Sequence, residues 1–238
     1  MRIGYYPGCA VKSFTPGLID SVKRLLEPLG VELFEIRDWV CCTGGVGDEG
    51  RRGFTERSAV LNAVLAASQG AEVIATSCSL CLSTLHRGLR RATPELVAEI
   101  ASKLGVEPPK RLPRVVHLAD VIVDYARRVE HTLDPKTSIV LYPGCGYLAA
   151  HGPIEARKRL ERLAAIMGLE NYRIVTGCCG FPLYAARPRE AERIAKRLEE
   201  RMGDPDIVVT LCPLCKLALL RYTRLQVKML EETLTRVD

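Results

Sequence analysis

The sequence predicts an α/β protein of two pseudo-repeated Rossmann-like domains, each built on a parallel sheet. Three observations carry this. Short apolar runs rich in Val, Ile and Tyr alternate with helix-like segments along the whole chain. The order strand–helix–strand–helix–strand occurs twice. Ten cysteines fall into two copies of one spacing pattern, with none left over. Strands alternating with helices imply right-handed βαβ units and therefore parallel sheets. The 238 residues, 47% hydrophobic, suffice for one large domain or two smaller ones with their own cores.

In the first half, strands are predicted near 2–7, 31–36 and 72–77, and helices near 16–29, 54–69 and 79–104. The run Glu107-Pro108-Pro109-Lys110-Arg111-Leu112-Pro113 breaks this half, and a linker helix follows within 115–131, centred on 117–130. Thr132-Leu133-Asp134-Pro135 reads as the hinge, so the expected domains are 1–131 and 132–238. In the second half, strands are predicted near 138–143, 172–176 and 206–211, with helices near 153–168, 188–202 and 213–232.

The landmarks of the two halves match. Tyr5-Tyr6-Pro7-Gly8-Cys9 corresponds to Leu141-Tyr142-Pro143-Gly144-Cys145, Cys41-Cys42 to Cys178-Cys179, and Cys78-Ser79-Leu80-Cys81 to Cys212-Pro213-Leu214-Cys215. The offsets between matching cysteines are 136, 137, 137, 134 and 134, near-constant values that mark an internal duplication. Each cluster follows a predicted strand, at the sheet edge where parallel α/β folds bind ligands. Several sit at helix starts, where free N–H groups favour thiolate. Gly8, Gly44, Gly45, Gly144, Gly146, Gly177 and Gly180 beside them allow close backbone approach.

Three chemistries compete for these thiols. Disulfides suit an even count, but a vicinal pair is awkward to bridge and each five-cysteine set would leave one over. Zinc suits four cysteines including a C-x-x-C, yet leaves the fifth without use; zinc in one site remains an alternative. Iron–sulfur clusters need several soft thiolates around a cavity larger than one ion, and five per site suggest a non-standard cluster.

These motifs resemble the cysteine-rich CCG domain family: a cysteine, a spacer, a vicinal pair followed by glycine, a second spacer, and C-x-x-C. Here the spacers are 31 and 35 residues, then 32 and 32. One departure is Thr43 after Cys42, where the second copy has Gly180. The tandem pair is similar to the CCG-bearing subunit of heterodisulfide reductase and to the related subunit of archaeal-type succinate dehydrogenase. The resemblance implies two noncubane 4Fe–4S clusters. One would use Cys9, Cys41, Cys42, Cys78 and Cys81, the other Cys145, Cys178, Cys179, Cys212 and Cys215. It implies an oxidoreductase subunit that reduces a disulfide on the clusters, or alternatively an electron relay to a quinone. A zinc-binding structural subunit is the alternative of another class. Both C-x-x-C pairs are claimed by the repeat, so thioredoxin-type cycling is not expected. No ferredoxin-type cysteine run is found, so electrons are expected from a ferredoxin-like iron–sulfur subunit or a flavoprotein subunit.

The net charge of +6 is spread among Glu residues on the helices, which argues against nucleic acid as a partner. No leader and no apolar run of about 20 residues is evident, so a cytoplasmic protein is expected, peripheral to a membrane only through partners. Scarce amides (Asn62, Asn171, Gln69, Gln226) lean toward a thermophilic source. Lys12, Lys216, His86 and His151 are candidates for binding an anionic substrate, with surface charge as the plainer reading. Trp39 packs a loop or shields a cluster; Tyr5, Tyr6 and Tyr142 read as strand core. The stretch from Lys216 to Val237 is amphipathic and expected to pack on its own sheet. His117 and His131 flank the linker helix without an assigned role.

Overall fold

A computed structural model describes residues 2–15, 17–45 and 53–237. Pro16, which opens the first predicted helix, lies outside them. The first half contains β1 (Arg2–Tyr5), α1 (Gly8–Phe14), α2 (Leu18–Leu26), β2 (Glu32–Glu35), α3 (Phe54–Ser68), β3 (Val73–Thr76), α4 (Ser79–Arg90), α5 (Pro94–Leu104), β4 (Arg114–His117), α6 (Leu118–Tyr125) and β5 (Val129–His131). The second contains β6 (Ile139–Tyr142), α7 (Gly144–His151), α8 (Pro153–Ile166), β7 (Tyr172–Ile174), α9 (Pro188–Met202), β8 (Ile207–Thr210), α10 (Pro213–Tyr222), β9 (Val227–Met229) and β10 (Leu234–Val237).

Two four-stranded sheets result, ordered β2-β1-β3-β4 and β7-β6-β8-β9, and every pairing within them is parallel. The central strands β3, β6 and β8 are buried along their length, as expected of sheets covered on both faces. Apolar side chains from both halves form one continuous core, from Ile3 to Val237. These are two similar Rossmann-like units on parallel sheets.

Three predicted helices differ, and β5 and β10 form where no strand was predicted. The helix expected over 79–104 is two helices. Thr93 accepts a hydrogen bond from the Leu96 amide and Pro94 takes the first helical position, so a new helix starts where the old would have continued. The helix expected over 213–232 stops at Tyr222. Val227 and Met229 are then buried while Lys228 is exposed, an alternation of period two that forms β9. The expected linker helix is the shorter α6, preceded by a fourth strand. His117 caps it: its Nδ1 accepts from the Ala119 amide, and Asp120 accepts from the His117 amide. His131 reaches the Met167 carbonyl at 2.8 Å.

The halves are also tied by their ends. β10 pairs antiparallel with β5, so the C-terminal strand closes against the end of the first half. Gly146 on α7 lies so close to Ser79 of α4 that a Cβ there would clash with the Ser79 backbone. No helix of the described residues is long and apolar enough to cross a membrane.

Candidate metal centres

All ten cysteines lie in loops or helix starts beyond the C-terminal ends of β1, β2, β3 and their counterparts β6, β7, β8. Cys78 and Cys212 are the N-caps of α4 and α10, with extended backbone, and Cys81 and Cys215 sit in the first turns. The halves share one burial pattern. Cys9, Cys41, Cys145 and Cys178 are exposed; Cys42, Cys78, Cys81, Cys179, Cys212 and Cys215 are buried.

The sulfurs form a connected chain. Cys41 contacts Cys42, whose Sγ is 3.2 Å from that of Cys81; Cys81 contacts Cys78. Cys78 Sγ then lies 3.9 Å from Cys212 Sγ, across the boundary between the halves. Cys212 contacts Cys215, and Cys215 contacts Cys179. Cys145 pairs with Cys178 beside this chain, and Cys9 acts electrostatically on Cys41. Among the described residues no three His, Cys, Asp or Glu side chains surround a single-ion position. Seven sulfurs thus run in one chain across the boundary between the halves, with Cys9 and the Cys145–Cys178 pair beside it, an arrangement invisible in the spacing.

Close approach requires glycine. Gly8 has φ +65 and a Cβ there would sit 2.9 Å from Cys81 Sγ; Gly144 has φ +76 and its Cβ would sit 3.1 Å from Cys215 Sγ. Backbone amides face the sulfurs: Thr43 N donates to Cys41 Sγ and Gly180 N to Cys178 Sγ, each at 3.4 Å. Hydrogen bonds from Cys41 and Cys81, with the Gly44 amide, hold the Cys42 thiol well below the usual thiol range. Bonds to Cys215 and Cys78 do the same for Cys212 against its burial. Cys145 and the Gly180 amide lower Cys178. The thiols Cys41, Cys78, Cys81, Cys145 and Cys215 move up, through bonding to neighbouring sulfurs and burial. Soft thiols, clustered and met by N–H donors, are the donor chemistry that an iron–sulfur group requires.

Residues with no role at the cysteines predicted from sequence, or only a packing one, position these loops. Tyr6 Oη donates to Val40 O at 2.7 Å and Tyr142 Oη to Gly177 O at 2.8 Å, so a matching tyrosine anchors the segment before each vicinal pair. Trp39 stacks edge-on against Tyr6 and donates to Glu35. Buried Asn62 receives the Val40 amide and donates to the Val40 carbonyl, and Ser58 donates to the Cys41 carbonyl at 2.6 Å. Ser79 Oγ shares its one hydrogen between Pro143 O and Leu211 O, gripping the other half beside Cys145 and Cys212. His117 Nδ1 accepts, so its Nε2–H donates to the same Leu211 carbonyl.

The four expected anion-binding side chains do not converge. Lys12 pairs with Glu35 and Lys216 with Glu232; His86 binds the Val115 carbonyl. His151 joins Tyr147 and Arg159 around Asp120. Burial pushes the Asp120 carboxyl up, but bonds from His151 and Tyr147 outweigh it and hold it at about 2. This network braces α7, which carries Cys145, against α6.

Paired parallel-sheet units with a five-thiol set on each facing edge define a class of tandem cysteine-rich α/β proteins. The chain belongs to the cysteine-rich domain family CCG, whose model matches residues 3–86 and again 139–220. It is 24% identical to a protein of Archaeoglobus profundus described as like the B subunit of heterodisulfide reductase, over 92% of this chain and 81% of that one. It is 27% identical to the B subunit of fumarate reductase (CoM/CoB) of Methanothermobacter marburgensis, over 91% of this chain and 41% of that one. It is also 24% identical to the 8-methylmenaquinol:fumarate reductase membrane anchor subunit of Wolinella succinogenes, over 92% of this chain and 81% of that one.

Proposed function

We propose that this chain is the iron–sulfur subunit of a heterodisulfide reductase-like complex, carrying two noncubane 4Fe–4S clusters and reducing a disulfide substrate. The observation that supports it most is the 3.9 Å contact between Cys78 and Cys212, which merges the two five-cysteine sets into one centre. Clusters held there would supply one-electron transfer and iron that binds sulfur. Reduction of a disulfide to two thiols takes two electrons and two protons, and two adjoining one-electron sites match that demand.

The chain's own residues do the rest. The buried cysteines keep the middle of the centre dry, and the exposed Cys9, Cys41, Cys145 and Cys178 form its outer rim. The amides of Thr43, Gly44 and Gly180 stabilise negative sulfur. Tyr6, Tyr142, Asn62 and Ser58 hold the vicinal pairs in place. Electrons come from a ferredoxin-like iron–sulfur subunit or a flavoprotein subunit. The repeat supports a division at 131/132.

A second reading follows from the menaquinol-linked relative: the clusters relay electrons between a flavoprotein and a quinone. Anaerobic purification with iron analysis and EPR tests the cluster assignment. About eight iron per chain is expected for two 4Fe–4S sites; colourless protein holding only zinc overturns it. Mixing the reduced protein with a low-molecular-weight disulfide or a menaquinone analogue separates the readings. Reoxidation by the disulfide alone supports the reductase, and by the quinone alone the relay.

A further inference from the structure

Beside the first sheet lies a buried acid that the cysteine centre does not account for. Glu231 lies in the 3-10 turn Leu230–Glu232, which packs against α2. Its residue exposure is 2%, and neither carboxyl oxygen has a partner of hydrogen-bonding geometry. An unpaired buried carboxylate is costly, so such a group persists protonated or serves a purpose.

Its surroundings point to the purpose. Ser77, directly before Cys78, lies near Glu231 outside hydrogen-bonding geometry and accepts a hydrogen bond from Tyr5 Oη at 2.9 Å. Tyr5 is under the influence of Glu231 on one side and of Cys78 and Cys81 on the other. The carboxyl and two buried thiols of the first set thus act on one hydroxyl, in a region of low dielectric where charges couple strongly. Burial pushes Glu231 up to about 7, opposed by the Ser77 hydroxyl and reinforced by the charge of Glu232. Glu232 itself is turned outward to Lys216. The charged residues on the neighbouring α2 and β10, Asp20, Lys23, Arg24 and Arg236, are exposed.

The duplication provides an internal control. At the positions of Tyr5 and Ser77 the second half has Leu141 and Leu211. The polar bridge exists on one side only.

We propose that Glu231 is a redox-linked proton acceptor for the first cysteine set. When a one-electron donor adds one electron to the cluster held there, the Glu231 carboxylate takes one proton from water. When the electron leaves, the proton leaves with it. Charge is balanced at each step, and the linkage is reciprocal: reduction favours protonation as much as protonation favours reduction. The inference rests on the iron–sulfur reading.

The test is an EPR-monitored redox titration of the full chain, purified anaerobically with its iron counted, using dithionite and mediators from pH 6 to 9. For one of the two clusters, the reduction equilibrium is expected to shift about tenfold per pH unit above pH 7, or about 59 mV for one electron. The other cluster stays pH-independent. In Glu231→Gln both are expected to be flat. Two flat clusters in the wild type, or a slope that survives Glu231→Gln, overturn the proposal while leaving the iron–sulfur reading intact. Protein without iron overturns both. Should Glu231→Gln fail to fold, redox-difference infrared spectra of the wild type decide. A protonated carboxyl band gained on reduction supports the proposal and its absence overturns it.

Discussion

Thr43 shows what a single position costs. It has φ +71, a left-handed conformation that side chains other than glycine rarely adopt, while its counterpart Gly180 has φ +81. Thr43→Gly should therefore stabilise the protein by about 1 kcal/mol, read from denaturant unfolding curves. Gly180→Ala should do the reverse and cost more than about 1 kcal/mol, because a Cβ there would meet the Ala191 carbonyl at 2.6 Å as well as the unfavourable φ. An unchanged midpoint in either variant would contradict this account. Glu231 carries a pH dependence. Its folded value of about 7 lies above the ordinary carboxyl range, so the folded chain binds a proton that the unfolded chain has lost. Stability from this group is then present below about pH 4 and is lost as pH rises through 7. Glu231→Gln should gain on the wild type over that window by on the order of 3 kcal/mol, with the two converging in acid. Parallel pH–stability curves would sink the assignment.

Elements decide whether the loops hold their cysteines in register. The segment before Cys41 is tied to α3 by Asn62 and Ser58, and removing Asn62 leaves the Val40 amide without a partner. Asn62→Ala should cost roughly 1–3 kcal/mol and lower the iron content of the first site while the second keeps its spectrum. Equal loss from both sites would show that α3 does not act locally. This brace was not legible in the sequence. Asn62 stood out there only as a rare amide, because a side chain that serves a loop 22 residues away leaves no periodic trace. The strands β1, β2, β3, β6, β7 and β8 were legible, because apolar runs rich in Val, Ile and Tyr are a local signal, whereas β4, β5, β9 and β10 were not. So were the cysteine sets, since the duplication repeats them. Helix ends were less so: the 79–104 and 213–232 segments keep apolar content past their true ends. Only the Thr93 cap and the alternation at Val227 and Met229 stop them.

For the whole molecule, the Cys78–Cys212 contact changes which substitutions stay local. Cys42 and Cys179 lie within their own sets, so Cys42→Ser and Cys179→Ser should each damage only one of the two proposed clusters. Cys78→Ala and Cys212→Ala act at the shared seam and should perturb both EPR signals, and a strictly one-sided effect would mean that the sites are independent. The relation between the two sets could not be read from offsets, because it depends on Ser79 gripping Pro143 and Leu211 across the boundary and on β10 closing against β5. The same seam bears on how the protein is made. Six of the ten thiols are sealed within a core that both halves complete. A metal group held by them has to enter before α4 closes on α7, so loading is expected to be linked to the last step of folding.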